Sequence, residues 1–214
     1  VLSGDCSYND LIESSKSELN VFIHNGSASS LGKIMKKKFQ QDYVTPIFPF
    51  GIRNTSLFYL RIAKHFNKEQ IAITKISRWE KELFSLIKPY ITHFKGKKIA
   101  IIDLKNNKFR IAQAFTDFGF DVTIFSKGKY SPIELKILQK YNVTVLEYKG
   151  SYDFKIYDLI LPQDENNNNP LFYKNISLKG LDHFMFYSGA VQFAKELSYE
   201  LNDNFKKKYD RYIK

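Results

Sequence analysis

The sequence predicts an α/β fold in which parallel sheets are flanked by helices. Apolar runs of about five residues alternate with longer segments whose apolar residues recur every three or four positions. The short runs are typical of buried strands and the longer segments of amphipathic helices. Their alternation along the chain predicts strands joined by crossover helices, which is the arrangement of Rossmann-like units.

The sequence of residues 1–76 predicts a partial Rossmann-like unit. Its strands are expected at 19–24 and 43–45, each next to a helix. Two strands are too few for an independently stable sheet, so we expect this unit to be truncated at its N-terminus. The chain also starts at Val1 rather than at a methionine, which suggests a fragment boundary.

The helix starts in this unit are predicted from polar residues that suit the N-cap position. Ser29 or Ser30 would cap a helix over 31–39, and Asn54 or Thr55 would cap the next helix. Side-chain oxygens at such positions accept hydrogen bonds from main-chain N–H groups that have no partner within the helix.

A long helix is expected over residues 77–95, between this unit and a second one. Apolar residues such as Leu83 and Ile87 recur there at helical spacing. Pro89 should kink this helix, because proline removes a main-chain donor and its ring crowds the preceding turn.

Residues 96–214 predict a complete Rossmann-like unit. Gly119 should end its first helix, because glycine readily adopts the backbone conformation found after a helix C-terminus. Ser188 and Gly189 are expected to open the final helix, with Ala190 as its first residue. The strands are expected at 98–103, 120–125, 143–147, 157–161 and 182–186.

Composition narrows the class of protein. A single cysteine, Cys6, excludes an internal disulfide framework and a four-thiolate iron-sulfur site, which favours a reducing cytoplasm. No segment approaches the roughly 18 apolar residues of a membrane span, so no membrane partner is expected. The net charge of +11 comes from lysines scattered along the chain, which indicates solvated helix faces rather than a nucleic-acid surface. An anionic partner or ligand remains open as an alternative.

Nucleotide-binding motifs are missing where they would be expected. The first strand of the second unit is followed by Asp103-Leu-Lys-Asn-Asn rather than by the glycine-rich turn that cradles a pyrophosphate. NAD binding is therefore not expected. The sequence also contains no phosphate-binding loop of the GxxxxGK[ST] type, so no ATP site is expected.

Three polar residues lie at the carboxyl ends of predicted parallel strands, where open α/β sheets bind ligands. These residues are His24, Asp103 and His183. Each also has a purely structural interpretation. His24 could hydrogen-bond a loop, Asp103 could cap the following helix, and His183 could be a packed, hydrogen-bonded histidine near a helix N-terminus.

Four segments, taken in order, resemble the second and third domains of nitrogenase component 1-type oxidoreductases. The resemblance spans nearly the whole chain, and its specificity comes from the succession of short matches. The segments are Ser3-Gly-Asp through Ser17-Glu-Leu-Asn-Val, Phe50-Gly-Ile-Arg-Asn-Thr55, Trp79-Glu80 through Lys95-Gly-Lys-Lys-Ile-Ala-Ile, and Tyr187-Ser-Gly-Ala-Val-Gln-Phe-Ala194.

The resemblance implies a metallocofactor site. In the nitrogenase α-subunit, a cysteine and a histidine ligate the iron-molybdenum cofactor. The resemblance puts His24 at or beside the cysteine position and His183 at the histidine position. Imidazole is a harder ligand than thiolate, so an identical cofactor is in doubt. The cysteines that hold the family's iron-sulfur cluster belong to a first domain that is missing from this sequence. The residues expected to bind cofactor are His24, Phe50, Gly51, Asp103, His183, Ser188 and Gly189.

The resemblance therefore implies a fragment of the catalytic component of a nitrogenase-like reductase, working in an anaerobic cytoplasm. Its cleft would hold a metallocofactor or a tetrapyrrole, and an ATP-dependent iron-sulfur reductase would deliver electrons. The fragment alone should be inactive, and the family implies a homo- or heterodimer. Two alternatives stay open: a non-catalytic two-lobed protein that binds an anionic small molecule or metallocofactor, and a sugar-nucleotide transferase.

Overall fold

The computed structural model describes residues 7–23, 27–102, 108–128, 130, 132–149, 154–161 and 185–201. Among these residues, helices and strands alternate along the chain except where α4 follows α3. The elements are α1 Tyr8–Ser14, β1 Leu19–Val21, α2 Ser27–Phe39, β2 Asp42–Val44, α3 Ile52–His65, α4 Glu69–Phe94, β3 Lys98–Ile102, α5 Lys108–Asp117, β4 Asp121–Ser126, α6 Pro132–Lys140, β5 Thr144–Glu147, a 3₁₀ turn Phe154–Ile156, β6 Leu159–Leu161 and α7 Phe186–Leu201. No helix in the described part of the chain combines the length and apolar character needed to cross a membrane.

The chain divides into two compact units. The first comprises residues 1–49 and 56–76, and the second comprises residues 50–55 and 77–214. The short segment Phe50–Thr55 thus belongs to the second unit, although the stretches on both sides of it belong to the first. The domain ranges expected from the sequence, 1–76, 77–95 and 96–214, stay a prediction.

The first unit contains a two-stranded parallel sheet in which Asn20 of β1 lies opposite Tyr43 of β2. The buried Asn20 amide donates to Gln41 Oε1 at 3.3 Å. Gln41 Nε2 in turn donates to the main-chain oxygens of Ser14 and Ser17 at 2.9 and 3.0 Å. These bonds connect the end of α1 to the start of β2 and satisfy polar groups that burial would otherwise leave unpaired.

The second unit contains a four-stranded sheet with the order β5-β4-β3-β6, and every neighbouring pair is parallel. The chain adds β4 and β5 on one side of β3 and then returns to place β6 on the other side, which is a doubly wound topology. Ile99–Ile102 and Leu159–Leu161 are buried along their whole length, as expected for parallel strands covered on both faces. The predicted α/β class is confirmed.

Two of the predicted helix starts in the front part of the chain are wrong. Helix α2 begins at Ser27, so Ser29 and Ser30 lie inside it rather than at its N-cap. Helix α3 begins at Ile52, which places Asn54 and Thr55 in its first turn. Serine, asparagine and threonine suit an N-cap, but they also bond to main-chain groups within a first turn, so residue type alone did not locate the start.

The boundaries of the later helices also differ from expectation. Helix α4 begins at Glu69 rather than at residue 77 and continues through Pro89. An acidic residue in the first turn complements the positive end of the helix dipole. The expectation that Gly119 ends a helix is confirmed, because Gly119 has φ +90° two residues after Asp117, the last residue of α5.

The last expected strand differs most. Residues 182–184 lie outside the described residues, and Met185 forms an isolated antiparallel bridge with Phe50. Helix α7 begins at Phe186, so the predicted start at Ala190 is wrong. Strand β1 likewise ends at Val21, before the expected end at residue 24.

Candidate functional site

Three of the seven predicted site residues, His24, Asp103 and His183, lie outside the described residues. Their roles stay predictions. The other four fall in two segments, the loop with Phe50 and Gly51 and the start of α7 with Ser188 and Gly189.

The structure brings these two segments together. Phe50 pairs with Met185, the residue that precedes α7, in the antiparallel bridge. The Phe50 side chain is 1% exposed, and its ring centroid lies 5.1 Å from that of Phe193 on α7. The ring therefore packs in the core of the second unit, and it is the backbone of the loop that runs beside the segment entering α7.

Gly51 allows the loop to pass directly against α5. A Cβ atom at this position would lie 2.6 Å from the Ala114 Cβ and 2.9 Å from the Ala114 Cα, and Gly51 has φ +80°. Both the close approach and the left-handed backbone conformation call for glycine. The structure thus gives Gly51 a packing role, while its role in cofactor binding stays a prediction.

Ser188 and Gly189 lie in the first turn of α7. Ser188 is exposed and Gly189 is buried, and the Gly189 N–H donates to the Met185 oxygen at 3.2 Å. The N–H groups of a first helical turn point outward and carry partial positive charge, which suits an anion. Cofactor binding by these two residues stays a prediction.

Buried polar side chains hold the loop in shape. The Asn54 amide donates to the Phe50 oxygen at 2.9 Å and to the Arg110 oxygen at 3.3 Å. The Thr55 hydroxyl donates to the Gly51 oxygen at 2.6 Å. Both side chains are almost fully buried. The two residues expected to cap α3 therefore stabilise the loop from inside the first turn.

A buried carboxylate, which the sequence analysis missed, lies at the N-terminus of α3. Asp117 Oδ2 accepts the Arg53 N–H at 3.0 Å, and Asp117 Oδ1 pairs with Arg53 Nη2 at 3.2 Å. The Asp117 side chain is 4% exposed, whereas that of Arg53 is 45% exposed. Asp117 is the last residue of α5, where a negative charge is disfavoured by the helix dipole. An acidic residue at the C-terminus of a helix was the feature of the sequence that indicated a need for a positively charged or hydrogen-bonding partner.

Burial is the main influence on the protonation of Asp117. It raises the pKa of this carboxyl above its ordinary value of 3.8, and Glu80 acts in the same direction. The hydrogen bonds from the Arg53 and Ile52 N–H groups and the Arg53 charge oppose the increase. The Asp117 carboxyl therefore stays protonated to a higher pH in the folded chain than in the unfolded chain. As a result, the contribution of Asp117 to the stability of the fold decreases as the pH rises from 3.8 towards the raised pKa.

This pKa direction predicts how Asp117→Asn should behave. Since asparagine has a similar shape and does not titrate, the variant should gain stability relative to the native chain as the pH is raised from about 3 to about 7. Urea unfolding of both proteins at several pH values measures the difference. A difference that stays constant or falls over this range would contradict the prediction.

A cleft of about 500 Å³ lies near this ion pair in the second unit. The Arg53 guanidinium carbon lies 4.4 Å from the centroid of the Tyr141 ring, one of the lining groups. Because Asp121 begins β4 and Asn142 precedes β5, the cleft opens at the amino ends of these strands. The site expected from the sequence was assigned instead to the carboxyl ends of strands, where open α/β sheets bind ligands. The lining residues are Arg53, Thr116, Gly119, Phe120, Asp121, Lys140, Tyr141 and Asn142.

The described residues do not supply a complete set of metal ligands. Within this part of the chain, no three His, Cys, Asp or Glu side chains are grouped so that they could hold a metal ion. The two predicted ligands, His24 and His183, lie outside it.

Comparisons with known proteins agree on a family. The family model for nitrogenase component 1 type oxidoreductases matches residues 1–154. The chain is 26% identical to the nitrogenase iron-molybdenum cofactor biosynthesis protein NifE of Clostridium pasteurianum over 221 aligned positions, which cover 94% of this chain and 48% of that protein.

A solved structure supports the same fold. The chain resembles nitrogenase Cp1 at pH 6.5 with a TM-score of 0.59 and 14% identity, over 97% of this chain and 52% of that chain. This chain spans about half the length of both relatives. The solved structure supports the fold alone, while the family model covers more than half of the sequence. This chain therefore belongs to the nitrogenase component 1-type oxidoreductase family.

Proposed function

We propose that this chain forms one wall of a metallocofactor site in a nitrogenase component 1-type protein of the cofactor-biosynthesis kind. The observation that carries the proposal is the likeness to NifE, whose name assigns that protein to iron-molybdenum cofactor biosynthesis, over 94% of this chain. Because the chain spans 48% of that relative, the other walls of the site would belong to the rest of a longer protein. A homo- or heterodimer is part of the proposal.

The described geometry supports a binding role at the start of α7. The Phe50–Met185 bridge places the loop beside this helix start, and Met185 follows His183 by two residues in the sequence. The exposed Ser188 lies in the first turn, whose N–H groups favour an anionic ligand. An imidazole is a borderline ligand that suits iron, so His183 is the proposed ligand and His24 the second.

Removing the His183 imidazole tests this proposal. We expect the longer protein that contains this chain, prepared without oxygen and mixed with isolated iron-molybdenum cofactor, to retain iron and molybdenum on gel filtration. His183→Ala should lower the affinity by about tenfold or more, because changes to groups that merely support a ligand already cost about 10- to 100-fold. Metal analysis of the protein fractions measures the retention.

The matched control is His93→Ala, which removes an exposed imidazole from α4. This variant should retain as much cofactor as the native chain. Equal losses in the two histidine variants would contradict a role for His183. Absence of retention by the native form of the longer protein would contradict the proposed function itself.

A second candidate is the catalytic component of a nitrogenase-like reductase, favoured by the oxidoreductase description of the family. An ATP-dependent iron-sulfur reductase would deliver the electrons, and the cleft would hold a metallocofactor or a tetrapyrrole. Substrate reduction by the longer protein, seen only with ATP and the reductase present, would favour this candidate. Cofactor binding without turnover under the same conditions would favour biosynthesis, and reduction by the isolated chain would contradict the reductase mechanism.

A further inference from the structure

We infer that Asp117 is a positioning residue for the metallocofactor site, acting on the loop Phe50–Thr55 and through it on the segment that begins at Met185. The inference deepens the proposed function and rests on it, because the site it serves is the one proposed at the start of α7. Asp117 lies at the far end of α5 and is not among the residues expected to touch the cofactor.

The first step is that Asp117 determines where α3 begins. The first N–H groups of a helix have no partner within the helix, and Asp117 Oδ2 accepts one of them, from Arg53, at 3.0 Å. The carboxylate is 4% exposed and pairs with the Arg53 guanidinium at 3.2 Å. Moving the start of α3 away would leave a buried charge without its partner, which is strongly unfavourable.

The second step is that the loop follows one face of α5. Asp117 on this face binds Arg53 of the loop. One turn back along α5, Ala114 lies against Gly51. A further turn back, the Arg110 main-chain oxygen accepts a hydrogen bond from the Asn54 amide at 3.3 Å. Residues 110, 114 and 117 are four and three positions apart, so they share one face of the helix. Three contacts along this face hold the loop in one position on α5.

The third step connects the loop to the site. Phe50 directly precedes Gly51, its backbone pairs with Met185, and its ring packs on Phe193 of α7. A shift of the loop would therefore be transmitted to both the start and the body of α7. Since Met185 and the first turn of α7 border the site proposed above, we expect the geometry of that site to depend on the anchor at Asp117.

Three variants of the longer protein that contains this chain test the inference. Asp117→Ala removes the acceptor, and Asp117→Asn keeps an oxygen that can still accept the Arg53 N–H. Asp158→Ala is the matched control, because Asp158 Oδ2 also accepts a main-chain N–H in the same unit, from Lys98 at 2.8 Å, but at the start of β3. The measurements are the retention of isolated iron-molybdenum cofactor, the electron paramagnetic resonance spectrum of the retained cofactor, and amide hydrogen exchange without cofactor.

Asp117→Ala should lower the affinity for the cofactor by about tenfold, which is the size of effect expected when a group that orients a metal ligand is lost. The electron paramagnetic resonance spectrum of the bound cofactor should change as well. Asp117→Asn should restore most of the affinity and the native spectrum. Asp158→Ala should bind like the native chain even if it melts at a lower temperature. Native binding by Asp117→Ala, or an equal loss in Asp158→Ala, would overturn the inference. If Asp117→Ala does not fold, Asp117→Asn provides the test. A native affinity for the cofactor in Asp117→Asn, together with faster exchange of its Arg53 amide, would overturn the inference as well.

Hydrogen exchange separates this inference from the proposed function. If the native form of the longer protein retains no cofactor, the proposed function fails, and exchange at residues 185–189 decides the positioning role alone. Faster exchange there in Asp117→Ala than in Asp158→Ala would support the role of Asp117. Equal exchange in the two variants would overturn it.

Discussion

Phe193→Ala is expected to lower the free energy of unfolding by about 3–5 kcal/mol, the cost of deleting a buried phenylalanine ring. The Phe193 side chain is 2% exposed. Removing it would leave a cavity at the junction of α7, α5 and the Phe50 loop. Three rings have centroids at 5.1, 5.5 and 5.6 Å from that of Phe193, namely Phe50, Phe115 and Phe118.

Urea unfolding followed by the fluorescence of Trp79 measures this effect. Trp79 is the single tryptophan of the chain, belongs to the same unit, and lies 6.2 Å from the Tyr187 ring at the start of α7. The control is Phe84→Ala, because the Phe84 side chain is 46% exposed and its truncation should change stability by less than about 1 kcal/mol. A similar loss in both variants would contradict the central role of Phe193.

Gly51→Ala is expected to destabilise the second unit by about 2–6 kcal/mol, the sum of two separate costs. A left-handed backbone conformation in a residue other than glycine costs about 1–3 kcal/mol. Forcing a methyl group into a packed region costs about 1–3 kcal/mol more. Both apply here, because Gly51 has φ +80° and an added Cβ would lie 2.9 Å from the Ala114 main chain.

Gly96→Ala is a closely matched control for this substitution. Gly96 has φ +78°, yet an added Cβ would meet no atom within 4 Å. Its cost should therefore be limited to the conformational term of about 1–3 kcal/mol. Thermal and urea unfolding of the two variants under identical conditions give the difference, which isolates the packing of the loop against α5. Equal losses at the two glycines would show that the close approach to Ala114 carries no cost.

The strands of the second unit were predictable because their signal is local. Lys98–Ile102 lies within the expected strand at 98–103, and Leu159–Leu161 within the one at 157–161. A parallel strand covered on both faces is a nearly continuous apolar run, so the run itself marks the element. The stop at Gly119 was predictable for the same reason, because the backbone conformation after a helix favours glycine whatever its neighbours are.

The candidate site was only partly predictable. The loop at Phe50 and the start of α7 were singled out through short matches to a family, and the structure brings them together in the Phe50–Met185 bridge. The expected caps at Asn54 and Thr55 were wrong, because these residues lie inside the first turn of α3 and donate to the main-chain oxygens of Phe50 and Gly51 before it. Residue type restricts such side chains to a few local roles but does not choose among them.

By itself, the sequence determined the α/β class, the succession of elements in the second unit and the resemblance to the nitrogenase component 1-type family. Only the tertiary structure showed that Arg53 meets Asp117, 64 positions along the chain, and that Gly51 lies against Ala114. The physical reason is that apolar periodicity reports which face of an element is buried but not what covers it. The partner of a buried charge or of a glycine is set by how two helices pack, and that is decided when the whole unit folds.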